Sequence, residues 1–222
     1  MSDAPGVTPP WWRHADPDRF GPVLALLIAS LVVGAALPTR LAGLAAAVLG
    51  IVLWLAVARA ADLGRPLRLA GAAALSVVSA VAAATTAADS WRARSVVDLV
   101  LAAAVAVIAA VIARSLMRER VVTLSTVAGV LSLYLLIGLF FAQAYMGVAG
   151  FDDGAFASAR SLGRFDLLYF SFVTLTTVGF GDITPTIDLT RALAASEAVL
   201  GQLFLVTVVA RVISLLGRPR PG

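Results

Sequence analysis

Seven consecutive residues, Thr176-Thr177-Val178-Gly179-Phe180-Gly181-Asp182, set hydroxyls, two glycines and a carboxylate side by side. Just before them runs an aromatic, amphipathic stretch, Phe165-Asp166-Leu167-Leu168-Tyr169-Phe170-Ser171-Phe172-Val173-Thr174. This order reads as a short helix feeding a glycine-punctuated extended strand. Asp166 suits the positive start of that helix, so the negative end faces the Thr-Val-Gly run and favours a cation. Asp152, Asp153 and Asp188 lie nearby in the chain. Together with Asp182 they would give one face negative charge that concentrates cations, although 152 and 153 read more simply as solubilising loop residues.

Other site chemistries are excluded by composition. The chain has no cysteine and a single histidine, His14, in a charged, proline-containing leader, so neither a thiolate metal site nor a cysteine nucleophile can be built. No cofactor is implied. All 17 basic residues are arginine, and they fall between apolar runs instead of forming one stripe. That is the border pattern of membrane spans and not the footprint of a nucleic-acid partner.

The elements that must hold the central run are apolar. Of 222 residues, 60% are hydrophobic and 14% charged, which is too apolar for an ordinary soluble domain and makes membrane lipid the expected surroundings. A helix needs about 20 residues to cross ~30 Å of hydrocarbon. Six segments meet or approach that length: 22–37, 41–58, 67–88, 96–113, 121–146 and 189–216. Segment 147–188, richer in glycine, aromatics and aspartate, is too polar to span. Residues 1–19 lack the order of a cleavable signal and read as a short cytoplasmic tail, and no soluble regulatory domain is expected at either end. Small residues four apart, such as Ala46 and Gly50 or Ala72 and Ser76, are assigned to helix packing.

Arginine counts set the orientation. With the N-terminus inside, eleven arginines (13, 19, 59, 65, 68, 114, 118, 120, 211, 218 and 220) are cytoplasmic, against six outside (40, 92, 94, 160, 164 and 191). Both termini are therefore expected in the cytoplasm, with 147–188 on the outer face.

The Thr-Val-Gly-Phe-Gly run resembles the selectivity filter of potassium channels, whose usual form has Tyr where Phe180 stands. The resemblance is good over about residues 165–216. It implies that four subunits each contribute one strand. The carbonyls of Thr177, Val178, Gly179 and Phe180, with the Thr177 hydroxyl, would then replace the water shell of a potassium ion. Gly179 and Gly181 would allow backbone angles closed to other residues, so that successive carbonyls face one axis. Thr176, Asp182 and Tyr169 would support the filter, Asp182 by bonding towards Tyr169. The pore-helix Glu of many relatives is replaced here by Val173.

Aligned on the filter aspartate, Gly201 takes the place of an inner-helix glycine, read either as a hinge or as a close-packing residue. Gln202, Leu205 and Val209 would face the cavity below Thr177, with Ile213 near the inner constriction. Glu197, one turn before Gly201, is too expensive to face lipid. It is expected behind the pore helix or between subunits, near Gln143, as structural support.

Six spans also invite comparison with voltage-gated relatives, but residues 96–113 contain no arginine, and Arg114, Arg118 and Arg120 cluster at the inner end. Asp98 is expected to pair at the interface with Arg92 and Arg94. The expectation is an all-α membrane protein, with residues 1–120 a four-helix domain without a sensor and 121–222 the pore domain. It would form a homotetramer in the plasma membrane that conducts potassium passively and without enzymatic chemistry. A non-conducting regulatory subunit and a potassium transporter component are the alternatives, although transporters carry four filter segments in one chain and this chain has one.

Overall fold

A computed structural model describes residues 19–36, 39–87, 91–118 and 123–216. Seven helices dominate it: α1 (Gly21–Ala36), α2 (Thr39–Ala60), α3 (Arg65–Ala87), α4 (Trp91–Arg118), α5 (Leu124–Phe151), the short α6 (Arg164–Leu175) and α7 (Asp188–Leu216). Stretches within α3, α4, α5 and α7 are long and apolar enough to cross a membrane, whereas the apolar parts of α1 and α2, Gly21–Val33 and Ala47–Ala60, are shorter. His14, Arg120 and the last arginines lie outside the described residues, as do the side chains of Val209 and Ile213.

Helix ends extend beyond the apolar runs that announce them. α4 begins at Trp91 and includes Arg92 and Arg94, because backbone hydrogen bonding continues into the interface where arginine is tolerated. α5 starts on a reciprocal cap, in which the Thr123 Oγ1 accepts from the Thr126 amide at 3.2 Å and the Thr126 Oγ1 accepts from the Thr123 amide at 3.1 Å.

α4 and α5 form an antiparallel hairpin joined by residues 119–123. Glycines on α5 let the helices approach closely. A Cβ on Gly147 would stand 2.6 Å from Leu99, one on Gly150 would overlap Ser95, and one on Gly129 would press on Leu116 and Phe20. The bundle core of Phe20, Leu27, Trp54, Val57, Ile108 and Ile112 also takes in Leu136, so α5 shares a core with the helices before it. Trp54 lies over Gly71, where a Cβ would overlap its indole, and its Nε1 donates to the Arg68 carbonyl at 3.0 Å.

A second cluster lies between the C-terminal part of α5 and α6. The rings of Tyr145, Phe156 and Phe170 meet edge to face in a triangle, with centroids 5.1–5.6 Å apart. Phe156 belongs to a small feature absent from the all-helical expectation. Strand β1 (Phe156–Ser158) pairs antiparallel with β2 (Ile183–Pro185) in the register Phe156 to Pro185 and Ser158 to Ile183. The ribbon ties the loop before α6 to the loop after the central run, and the Thr190 hydroxyl fastens it to α7 through the Ala155 carbonyl at 3.0 Å.

Candidate functional site

Residues 176–182 leave the C-terminal end of α6 and are all exposed in the single chain. They do not form the extended strand that glycine punctuation suggests. Instead φ is positive at alternate positions, +58° at Thr177, +58° at Gly179 and +78° at Gly181. Alternation of left- and right-handed backbone turns successive peptide planes the same way, so that neighbouring carbonyls need not point to opposite sides as they do in a strand. At Gly179 and Gly181 the demand for glycine is conformational and not spatial, since a Cβ there would meet nothing within 4 Å. The positive φ of Thr177 is what sequence reasoning missed, because a β-branched side chain ordinarily avoids this region.

The amides of the run turn back to the helix. Thr176 N donates to the Phe172 carbonyl at 3.0 Å, Thr177 N to Thr174 at 2.9 Å, and Val178 N and Gly179 N both to Val173 at 2.9 and 3.4 Å. These bonds satisfy carbonyls that a helix C-terminus otherwise leaves orphaned. Among the described residues, no hydrogen bond ends on the carbonyl oxygens of Thr177, Val178, Gly179 or Phe180. Four successive acceptors thus keep their lone pairs, beside the negative end of a helix whose first turn carries Asp166.

Side chains brace the run from one side. Phe180, 68% exposed, lies parallel to the Tyr169 ring at 6.2 Å, with planes 6° apart. Thr176 Oγ1 donates to the Phe172 carbonyl at 2.6 Å. Val178 is 55% exposed in the single chain.

From below, α7 meets the run at two points. Gln202 Nε2 donates to the Thr177 hydroxyl at 3.2 Å, which places an amide directly at the base of the carbonyl row. A Cβ on Gly201 would overlap the Leu175 carbonyl oxygen, so of the two readings of this glycine the packing one has a visible cause. The Leu175 carbonyl also accepts from Tyr134 Oη at 3.4 Å. Leu205 is 41% exposed, and Val209 lies among the side chains outside the description.

Glu197 is fully buried behind α6. Its Oε2 accepts from Tyr145 Oη at 2.7 Å, and its Oε1 stands 2.5 Å from Ser171 Oγ, which also reaches the Gly138 carbonyl at 2.7 Å. One carboxyl thereby joins α5, α6 and α7. Gln143, the expected neighbour of Glu197, instead accepts from Arg164 Nη2 at 3.4 Å. Asp98 departs in a related way: its carboxylate takes both prongs of the Arg164 guanidinium, at 2.7 and 2.9 Å, in place of Arg92 or Arg94. Sequence distance hid both pairings, since 52 residues separate Tyr145 from Glu197 and 66 separate Asp98 from Arg164.

Two comparisons with known proteins bear on this site. A family described as "Ion channel" matches residues 129–218, the stretch holding α5, α6, the carbonyl row and α7. The chain is also 33% identical over 104 residues to two pore potassium channel a of Oryza sativa subsp. japonica, over 47% of this chain and 28% of the relative. The chain thus spans less than a third of that relative's length. With its apolar helices, it is an integral membrane protein, and residues 129–218 match an ion-channel domain.

Proposed function

We propose that the chain is one subunit of a homotetrameric, potassium-selective channel that conducts passively through an axis lined by residues 176–181. The observation that carries this reading is the row of four carbonyls without donors, produced by positive φ at Thr177, Gly179 and Gly181. A potassium ion loses its hydration shell only where several such oxygens replace it together, and one row cannot surround an ion. Four rows around an axis can. Val178 and Phe180, over half exposed in one chain, and Val199, Leu203 and Val206 along α7 then have neighbouring subunits to cover them. The negative end of α6 and Asp182 favour cations at opposite ends of the row.

In this reading α1 to α5 and α7 make six spans in the plasma membrane, with both termini cytoplasmic. Residues 1–120 are a bundle without a charged sensor, and 121–222 are the pore domain. Gln202, Leu205 and Val209 line the water-filled cavity beneath Thr177.

The test is reconstitution of the purified chain alone in liposomes bearing a potassium gradient, followed by bilayer recording. Unitary currents with strong preference for potassium over sodium, from particles of tetramer mass, are expected. Flux that saturates at transporter rates, or no flux, would overturn the reading.

A further inference from the structure

Among the described residues, an ion pair joins the bundle to the short helix α6. Asp98 sits two turns into α4 and is 5% exposed, so its carboxylate needs a partner to remain charged. Arg164, the first residue of α6, supplies it with a two-pronged bond, Nη1 to Oδ2 at 2.9 Å and Nη2 to Oδ1 at 2.7 Å. Such a fork fixes direction as well as distance. The seat for α4 is cut into α5 by Gly147 and Gly150, where any side chain would strike Leu99 or Ser95, the residues flanking Asp98.

We propose that Asp98 is a positioning residue for the carbonyl row: through the fork with Arg164 the N-terminal bundle fixes the outer end of the helix from which the row hangs. The 12 residues of α6 form a rod about 18 Å long. Its far end carries the Val173 and Thr174 carbonyls that hold the amides of Thr177, Val178 and Gly179. A rod pinned at its N-terminus by α4 and at its middle by Ser171 has one orientation. Released at the N-terminus, it pivots about Ser171 and moves those carbonyls. This gives the first four helices a task that does not require sensing voltage. The consequence for permeation rests on the channel reading above, whereas the mechanical claim does not.

The experiment compares wild type, Asp98→Asn, Arg164→Gln and the double variant in the assembled, reconstituted protein. Hydrogen exchange at the amides of residues 176–179 is read beside the potassium-to-sodium permeability ratio. Each single variant should speed exchange at these amides at least about tenfold, and the double variant should be no worse than either single, as coupled partners require. The permeability ratio should fall in parallel. If a single variant fails to assemble, Arg164→Lys keeps the charge and loses the fork, and it should give intermediate exchange. Exchange within about twofold of wild type in Asp98→Asn or Arg164→Lys, or singles whose effects simply add in the double, would overturn the inference. Faster exchange in a protein that conducts nothing would leave it standing while removing the channel reading.

Discussion

Tyr145 Oη donates to Glu197 Oε2 at 2.7 Å in the interior of the protein, joining the C-terminal part of α5 to the first third of α7. Neither residue is exposed, and no ion pair reaches the carboxyl among the described residues. The bond and its companion to Ser171 fix the distance between the two long helices and the back of α6. Removing the carboxyl should therefore leave the buried Tyr145 hydroxyl without its partner, while Ser171 keeps the Gly138 carbonyl.

Glu197→Ala is expected to lower the stability of the assembled protein by about 2–5 kcal/mol, from a cavity and the stranded Tyr145 hydroxyl. Glu197→Gln keeps an acceptor for Tyr145 and gains a donor for Ser171, which can pass its own proton to the Gly138 carbonyl. It should cost less than about 1.5 kcal/mol. Thermal or denaturant melts in detergent resolve the two. Equal losses in both variants would mean that the hydrogen bonds contribute little.

Gly179→Ala should abolish potassium selectivity while the oligomer still forms. The new methyl group meets no atom, but a side chain at φ +58° costs about 1–2 kcal/mol in each subunit, and the peptide planes relax out of alignment. The permeability ratio and the oligomer mass are the two readouts. Unchanged selectivity would remove the role given to the carbonyl row.

Gly201→Ala tests packing against hinging. Its Cβ would overlap the Leu175 carbonyl oxygen, so α6 must shift, at about 1–3 kcal/mol of overpacking. Lower melting temperature together with altered permeation is the expected outcome. A stable protein with slowed opening and unchanged open-state selectivity would favour the hinge.

Opening should depend only weakly on voltage. Moving one charge through the field is worth ~2.3 kcal/mol per 100 mV, and positions 96–113 in α4 carry no arginine. A conductance–voltage curve with a slope demanding several charges per subunit would show that a sensor lies elsewhere in the chain.

Where the sequence was readable, one residue type answered one physical demand. Glycine at 179 and 181 announces unusual backbone, and long apolar runs announce α3, α4, α5 and α7 because lipid demands them. Thr177 was opaque: its positive φ is imposed by the amides turning back on α6 and by the grip of Gln202 on its hydroxyl, neither of which threonine advertises. The same holds for Asp98 and Glu197. Each announced that a buried or interfacial carboxyl needs company, but the identity of the partner depends on how α4, α5 and α7 lean together. The three-residue strands at 156–158 and 183–185 are too short to show alternation, so the ribbon emerges only once the loops are closed.

The packing of α4 on α5 carries a consequence for assembly. Within one polypeptide α4 lies against α5, and the first four helices share a core with it. Assembly of the proposed ring would then be the meeting of finished parts instead of an exchange of arms. A defective copy then contributes its damage to one quadrant of the proposed ring and leaves the bundles of the other three intact.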